Sequence, residues 1–144
     1  MFKVSSAQRR EAEAAIQAEA EDRKAKELAG MKMEAAAAAF IASWDTFSDL
    51  IGVEMARQGF DSPKSFPTDI ALMHSELSEA LEADRKGLMD DKLPAYEGRA
   101  VELADTVIRI LHAQRKHSLD SIGALVVMKS LYNLTRPYKH GKEY

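Results

Sequence analysis

The chain has 144 residues, 46% of them hydrophobic, a net charge of −3 and no cysteine. This length fits one domain, and the slightly acidic balance excludes a basic surface that would attract polynucleotides or an anionic membrane. The absence of cysteine excludes disulfides and thiolate chemistry and is typical of a reducing compartment, so we expect a cytoplasmic protein.

Residues 1–38 are predicted to form a helical extension, because they consist mainly of Ala, Glu, Lys, Arg and Gln, which are strong helix formers. Ile16 and Leu28 are the only large aliphatic residues between Ser5 and Gly30, so a core-facing stripe is missing. Such a helix projects into solvent, packs through alanine on a partner, or frays. Gly30 is expected to be a weak break, and the alanine run 35–39 is too short to cross a membrane.

Residues 39–144 are predicted to form the folded domain, an all-α bundle of four main helices. Its first helix is expected from about residue 33 to 58, where apolar residues recur at steps of three and four: Phe40, Trp44, Phe47, Ile51 and Met55. Trp44 and Phe47 are interpreted as core residues. The proline-containing stretch 60–68 is predicted to be a loop.

Three more helices are expected. One runs from Ile70 to near Gly87, with Thr68 or Asp69 as its cap and a Glu82–Lys86 ion pair in its last turns. Another runs from about residue 95 to 116. The last would be capped by Ser118 or Asp120 and stopped by Pro137, and its apolar residues are Ile122, Leu125, Val126, Met128, Leu131 and Tyr132.

Two of these helices carry paired acids three residues apart, Glu76 with Glu79 and Glu102 with Asp105, separated by 22 residues. Residues three apart share a helix face, so two packed helices could bring four carboxylates together. A hard divalent cation such as Mg²⁺ would relieve their repulsion and favours phosphate chemistry. Spacing alone leaves ordinary surface acids equally open.

The order Glu-x-x-Glu, spacer, Glu-x-x-Asp resembles the MazG-type, all-α nucleoside triphosphate pyrophosphohydrolases. The resemblance covers about residues 40–144 and includes Gln58-Gly59-Phe60, the run Leu103–Arg109 and the closing segment Asn133–Lys142. It implies a MazG-like four-helix bundle that hydrolyses a nucleoside triphosphate between its α and β phosphates. It also implies a homodimer or a dimer of dimers.

The resemblance implies roles for particular residues. Glu76, Glu79, Glu102 and Asp105 would hold Mg²⁺, with Mn²⁺ as a substitute, and one of them or Glu82 would help take a proton from the attacking water. The residues expected near the nucleotide are Asn133, Arg136, Tyr138, Lys139 and Phe60. On the residues alone, the cations of the tail fit a solvated basic tail equally well, and Phe60 and Phe66 fit either base contact or a structural role.

Two alternatives remain at this level. A di-iron carboxylate bundle would require Glu-x-x-His motifs, and none occurs in the chain. A catalytically silent helical interaction module, whose acids are surface charges and whose working part is the extension, is distinguished from the enzyme by metal binding.

Overall fold

The computed structural model describes residues 6–60, 62 and 65–137. These residues form four helices, α1 (Ser6–Arg57), α2 (Phe66–Lys86), α3 (Gly98–Lys116) and α4 (Ile122–Leu134). Within this part of the chain, strand-like pairing is limited to one isolated bridge between Met89 and Glu97. The all-α prediction is therefore confirmed. None of the described helices combines the length and apolarity that crossing a membrane requires.

Helix α1 is continuous over 52 residues, so the predicted break at Gly30 is wrong. A glycine inside a helix costs only about 1 kcal/mol relative to alanine, and the strong helix formers on both sides of Gly30 outweigh that cost. The extension is thus one helix with the segment that was expected to start separately near residue 33.

The chain divides into two compact units, a terminal unit (residues 1–39 and 125–144) and a central unit (residues 40–124). In the terminal unit, Gly30 lies against Leu134, because a Cβ added to the glycine would be 3.9 Å from Leu134 Cδ1. The first half of α1 therefore contacts α4 within this unit. The predicted division into residues 1–38 and 39–144 stays a prediction.

Helices α2 and α3 form an antiparallel hairpin in the central unit. As predicted, α2 ends at Gly87, which adopts the left-handed conformation (φ 62°) that suits glycine at a helix end. Three ion pairs join the two helices, Asp84 with Arg99, Glu76 with Arg109 and Asp69 with Lys116. Residue numbers fall along α2 as they rise along α3, so these pairs mark successive levels of the hairpin.

Several predicted helix starts are wrong. Helix α2 begins at Phe66 after Ser65, and Pro67 fits because the first turn has no internal partner for its missing N–H. Neither Thr68 nor Asp69 is its cap. Helix α3 begins at Gly98, because residues 89–97 are held by the bridge and by a turn in which Asp90 accepts the N–H of Leu93.

Helix α4 also starts differently from the prediction. Ser121, and neither Ser118 nor Asp120, receives the N–H of Ala124 in its first turn, at 3.2 Å. The helix ends at Leu134, three residues before Pro137, because the residue before a proline is disfavoured in helical conformation.

The second half of α1 is held to α3 by polar contacts. Trp44 Nε1 donates to Gln114 Oε1 at 2.9 Å, and Ser48 Oγ donates to the carbonyl of Leu111 at 2.8 Å. Gln114 Nε2 donates in turn to Asp45, at 3.0 Å. Gln114 and Ser48 are buried, so the hydrogen bonds that satisfy them fix the register of α1 on α3.

The apolar side chains of the central unit are only partly covered. Its buried hydrophobic residues are Ala80, Ala83, Leu111 and Ala113, whereas Phe47 is 59% exposed, so its interpretation as a core residue is wrong for the single chain. About half of the residue surface is exposed at several large positions of α2 and α3 as well: Leu77, Leu81, Leu103 and Val107. The buried face of α2 instead carries Asp69 and Glu76 beside small alanines.

Candidate functional site

Three of the four predicted carboxylates meet between α2 and α3. Glu76, Glu102 and Asp105 each offer an oxygen atom, and these three oxygens lie within 4.8 Å of one another. The local reason is the antiparallel hairpin, which sets Glu76 on the buried face of α2 opposite the turn of α3 that carries both Glu102 and Asp105. Three carboxylate oxygens at this spacing fit a hard divalent cation.

The crowding changes the ionisation of the cluster. Burial raises the pKa of Glu102 to about 7, together with a hydrogen bond shared with Glu76 and the charges of Glu79, Glu76 and Asp105. Burial and the Glu76 charge raise the pKa of Asp105 as well, although Arg109 acts in the opposite direction. A shared hydrogen bond between two carboxyl groups requires one of them to carry a proton. Loss of one negative charge from the cluster, to a proton or to a bound cation, would therefore relieve its repulsion.

One cation already faces the cluster. Arg109 donates from Nε to Glu76 Oε1 at 2.6 Å and pairs with the same oxygen through its terminal nitrogen. The Glu76 side chain is 9% exposed, so the guanidinium compensates a buried charge.

A cavity of about 260 Å³ opens beside the carboxylates. Glu76, Asp105 and Arg109 line it together with two further polar residues, Asp69 and His112. Its apolar lining residues come from α1, the turn after it, α2 and α3: Met55, Phe60, Leu72 and Ile108. An apolar cavity with a few converging polar groups is the common form of a small-molecule site. Phe60 is thus on the wall where a ring could lie.

Asp69 lies at another part of the same cavity. Its Oδ2 accepts hydrogen bonds from Lys116 Nζ at 2.8 Å and from His117 Nε2 at 2.7 Å. Burial raises the pKa of Asp69, but the hydrogen bonds and charges of Lys116 and His117 outweigh it, and the pKa stays below its usual value. The ring of Phe66 packs edge-on against His117, with ring centroids 5.2 Å apart, which gives Phe66 a structural role here.

The other predicted residues are less closely placed. Glu79 is exposed and accepts a hydrogen bond from Ser75 Oγ at 3.0 Å, outside the cluster of three. Glu82 forms the predicted pair with Lys86, and that contact lowers its pKa, which disfavours it as a base. Asn133 and Arg136 belong to the terminal unit. Tyr138 and Lys139 lie outside the described residues.

Sequence reasoning missed the cavity role of Asp69, which it treated only as a helix cap. The signal was available in the spacing, because Asp69 precedes Glu76 by seven residues and therefore lies on the same face two turns away. Leu72 and Ile108 gave no comparable signal, since each fits an ordinary apolar stripe.

In the comparisons, no protein family, curated protein or solved structure matches this chain.

Proposed function

We propose that the protein is a Mg²⁺-dependent nucleoside triphosphate pyrophosphohydrolase, similar to the MazG type, that releases a nucleoside monophosphate and pyrophosphate. The observation that carries the proposal is the convergence of Glu76, Glu102 and Asp105 at one end of an apolar cavity. A triphosphate needs cations around its phosphates and a dry slot for its nucleoside. The cavity has carboxylates that could hold such a cation next to apolar side chains that could receive the nucleoside.

The chain's own residues divide the work. Glu76, Glu102 and Asp105 would hold the ion, with exposed Glu79 close enough for its charge to act on Glu102. When bound, Mg²⁺ or Mn²⁺ neutralises phosphate oxygens and makes a water more reactive towards phosphorus. Arg109, which now compensates Glu76, is placed to turn towards the triphosphate once an ion takes over that carboxylate.

We further propose that the enzyme works as a homo-oligomer, either a homodimer or a dimer of dimers. Leu77 and Leu81 of α2 and Leu103 and Val107 of α3 stay about half exposed in the single chain, although their helices carry the site. Large uncovered apolar faces mark protein interfaces, and identical subunits commonly cover such faces with each other.

The decisive experiment is an assay of the full chain with a panel of ribo- and deoxyribonucleoside triphosphates, with Mg²⁺ or Mn²⁺ and with chelator. We expect monophosphate and pyrophosphate as the products, and dependence on the ion. The matched control is Asp84→Asn, a change on α2 at a solvent-exposed pair with Arg99 away from the cluster, which should retain full activity.

Two outcomes would contradict the proposal. Diphosphate and inorganic phosphate as products would place cleavage at the other anhydride. No turnover of any nucleotide, together with no stabilisation by the ions, would leave the silent interaction module as the better description.

A further inference from the structure

The cavity has a second polar group whose chemistry the proposed reaction does not use. Asp69 lies on the same face of α2 as Glu76, two turns away, which is about 10 Å along the helix axis. Leu72 on α2 and Ile108 on α3 line the same cavity, together with His112 of α3. A ligand whose phosphates lie at Glu76 would therefore extend its other end towards Asp69.

Within the described residues, only one oxygen of the Asp69 carboxylate accepts hydrogen bonds. Lys116 and His117 both donate to Oδ2, and no hydrogen bond from the described part of the chain reaches Oδ1. The side chain is 11% exposed. Because its pKa lies below the usual value, the group is ionised at neutral pH and can only accept hydrogen bonds.

We propose that Asp69 reads the nucleobase of the triphosphate by accepting an N–H from an exocyclic amine through Oδ1. The site would then prefer amino-bearing bases, such as cytosine and adenine, over bases that carry a carbonyl at the same position, such as uracil and hypoxanthine. This inference rests on the proposed function and adds a specificity-determining residue to it.

The selection follows from donor and acceptor patterns. Cytosine N4 and adenine N6 are donors, whereas the corresponding O4 of thymine is an acceptor, as are O4 of uracil and O6 of hypoxanthine. A carbonyl oxygen facing Asp69 Oδ1 would set two acceptors against each other. Uracil and hypoxanthine carry an N–H on the adjacent ring nitrogen, so they could pair with Oδ1 only in a shifted position. A site built around a hydrogen bond rejects a ligand that cannot complete it more strongly than an apolar pocket rejects a change in size.

The apolar walls complete the fit. Phe60 and Met55 lie on the α1 side of the cavity, and an aromatic ring or a thioether packs on the flat face of any base. These contacts stabilise all bases alike. The proposal assigns discrimination to Asp69, and one substitution tests it.

The test compares kcat/KM for two nucleotide pairs, dCTP with dUTP and dATP with dITP, that differ at this exocyclic group and in the proton on the adjacent ring nitrogen. We expect the wild type to prefer dCTP and dATP by about tenfold to a hundredfold, the range for a hydrogen bond to a charged acceptor. In Asp69→Asn, whose amide can also donate, both preferences should fall to less than about threefold. Ser48→Ala, which removes a buried hydrogen bond of the same unit away from Asp69, is the control for loss of a buried polar contact and should keep both preferences.

Equal kcat/KM values for both wild-type pairs would overturn the inference while leaving the proposed hydrolysis intact. So would unchanged preferences in a folded Asp69→Asn variant. If the wild type turns over no nucleotide, the proposed function fails, and the inference is then judged by binding. Titration of the α,β-methylene analogues of dCTP and dUTP in the presence of Mg²⁺ should give a lower Kd for the amino form, and equal values would overturn it.

Discussion

Two neighbouring levels of the α2–α3 hairpin have opposite arrangements of charge. At one level the single acid Asp69 faces two basic side chains, Lys116 and His117. Seven residues along α2, Glu76 meets two further acids, Glu102 and Asp105, with Arg109 as the only cation paired with Glu76 in the described residues. The first arrangement stabilises the fold, whereas the second opposes it. Residues that oppose folding at a cavity are those for which a ligand-binding role is the physical explanation.

The largest effect is expected from Asp105→Asn, which tests whether the acid cluster binds a metal ion. We expect turnover to fall by more than about a hundredfold, beyond the loss typical for a contact that only supports a metal ligand. The metal-free variant should be as stable as the wild type or more so, because one crowded charge is gone. Added Mg²⁺ should raise the melting temperature of the wild type by mass action and that of the variant much less.

Thermal melts with Mg²⁺ and with chelator, beside one pyrophosphate assay, measure these effects. An active and destabilised Asp105→Asn variant would show that Asp105 is a structural acid and would remove it from the proposed site.

The Asp69 level of the hairpin should lose stability when its cation Lys116 is removed. The Lys116 and Asp69 side chains are only 8% and 11% exposed, and breaking a buried pair leaves an uncompensated charge. Lys116→Met should therefore lower the free energy of unfolding by roughly 3 kcal/mol, the lower part of the range for such pairs, because His117 still donates to Asp69. Urea denaturation measures the change, and an unchanged midpoint would show that the pair contributes nothing.

The Glu102 cluster and the Asp69 pair should also change the stability of the fold in opposite directions with pH. The folded pKa of Glu102 is raised from 4.5 to about 7, so folding loses stability as the pH rises through that interval. The folded pKa of Asp69 is lowered, so its contribution is present above the unfolded value of 3.8 and is lost as the pH falls below it.

The metal-free protein should accordingly melt at a lower temperature at about pH 8 than at about pH 5. The melting temperature of Glu102→Gln should change less with pH over that interval. Calorimetric scans in chelator provide the measurement. A wild-type melting temperature that rises over the same interval would contradict the assigned ionisation of the cluster.

The smallest effect is expected at the third level of the hairpin. Asp84 and Arg99 also join α2 to α3, but their side chains are 52% and 53% exposed, and exposed pairs contribute less than about 1 kcal/mol. A double-mutant cycle with Asp84→Asn and Arg99→Gln should give a coupling energy below that value. A coupling as large as that of the Lys116 pair would show that burial is not what separates the levels.

The sequence predicted those parts of the molecule that depend on periodicity. The spacing of Glu76, Glu102 and Asp105 on consecutive helices correctly indicated that they could converge, and Gly87 correctly marked the end of α2. Both follow from helix geometry, which is local. Glu79 has the same spacing but stays outside the cluster. The sequence could not show this, because the rotation of one packed helix against another does not follow from the periodicity of either helix.

The failures concern contacts between distant segments. The periodicity of α2 did not indicate that Asp69 would be buried while Leu77 and Leu81 stay about half exposed. Asp69 was assigned to a cap because its partners, Lys116 and His117, lie 47 and 48 residues away. The predicted break at Gly30 was wrong for a different reason, since the low helix propensity of one glycine was outweighed by the helix formers around it.

Trp44 gives the central unit its own optical reporter. It is the single tryptophan of the chain, its indole donates to Gln114 on α3, and Gly123 lies so close that an added Cβ would be 2.7 Å from its Cγ. The intrinsic fluorescence of the protein therefore arises chiefly where α1, α3 and the start of α4 meet, while far-ultraviolet circular dichroism is summed over every helix. Unfolding followed by both signals would show whether this junction is lost together with the remaining helices or separately.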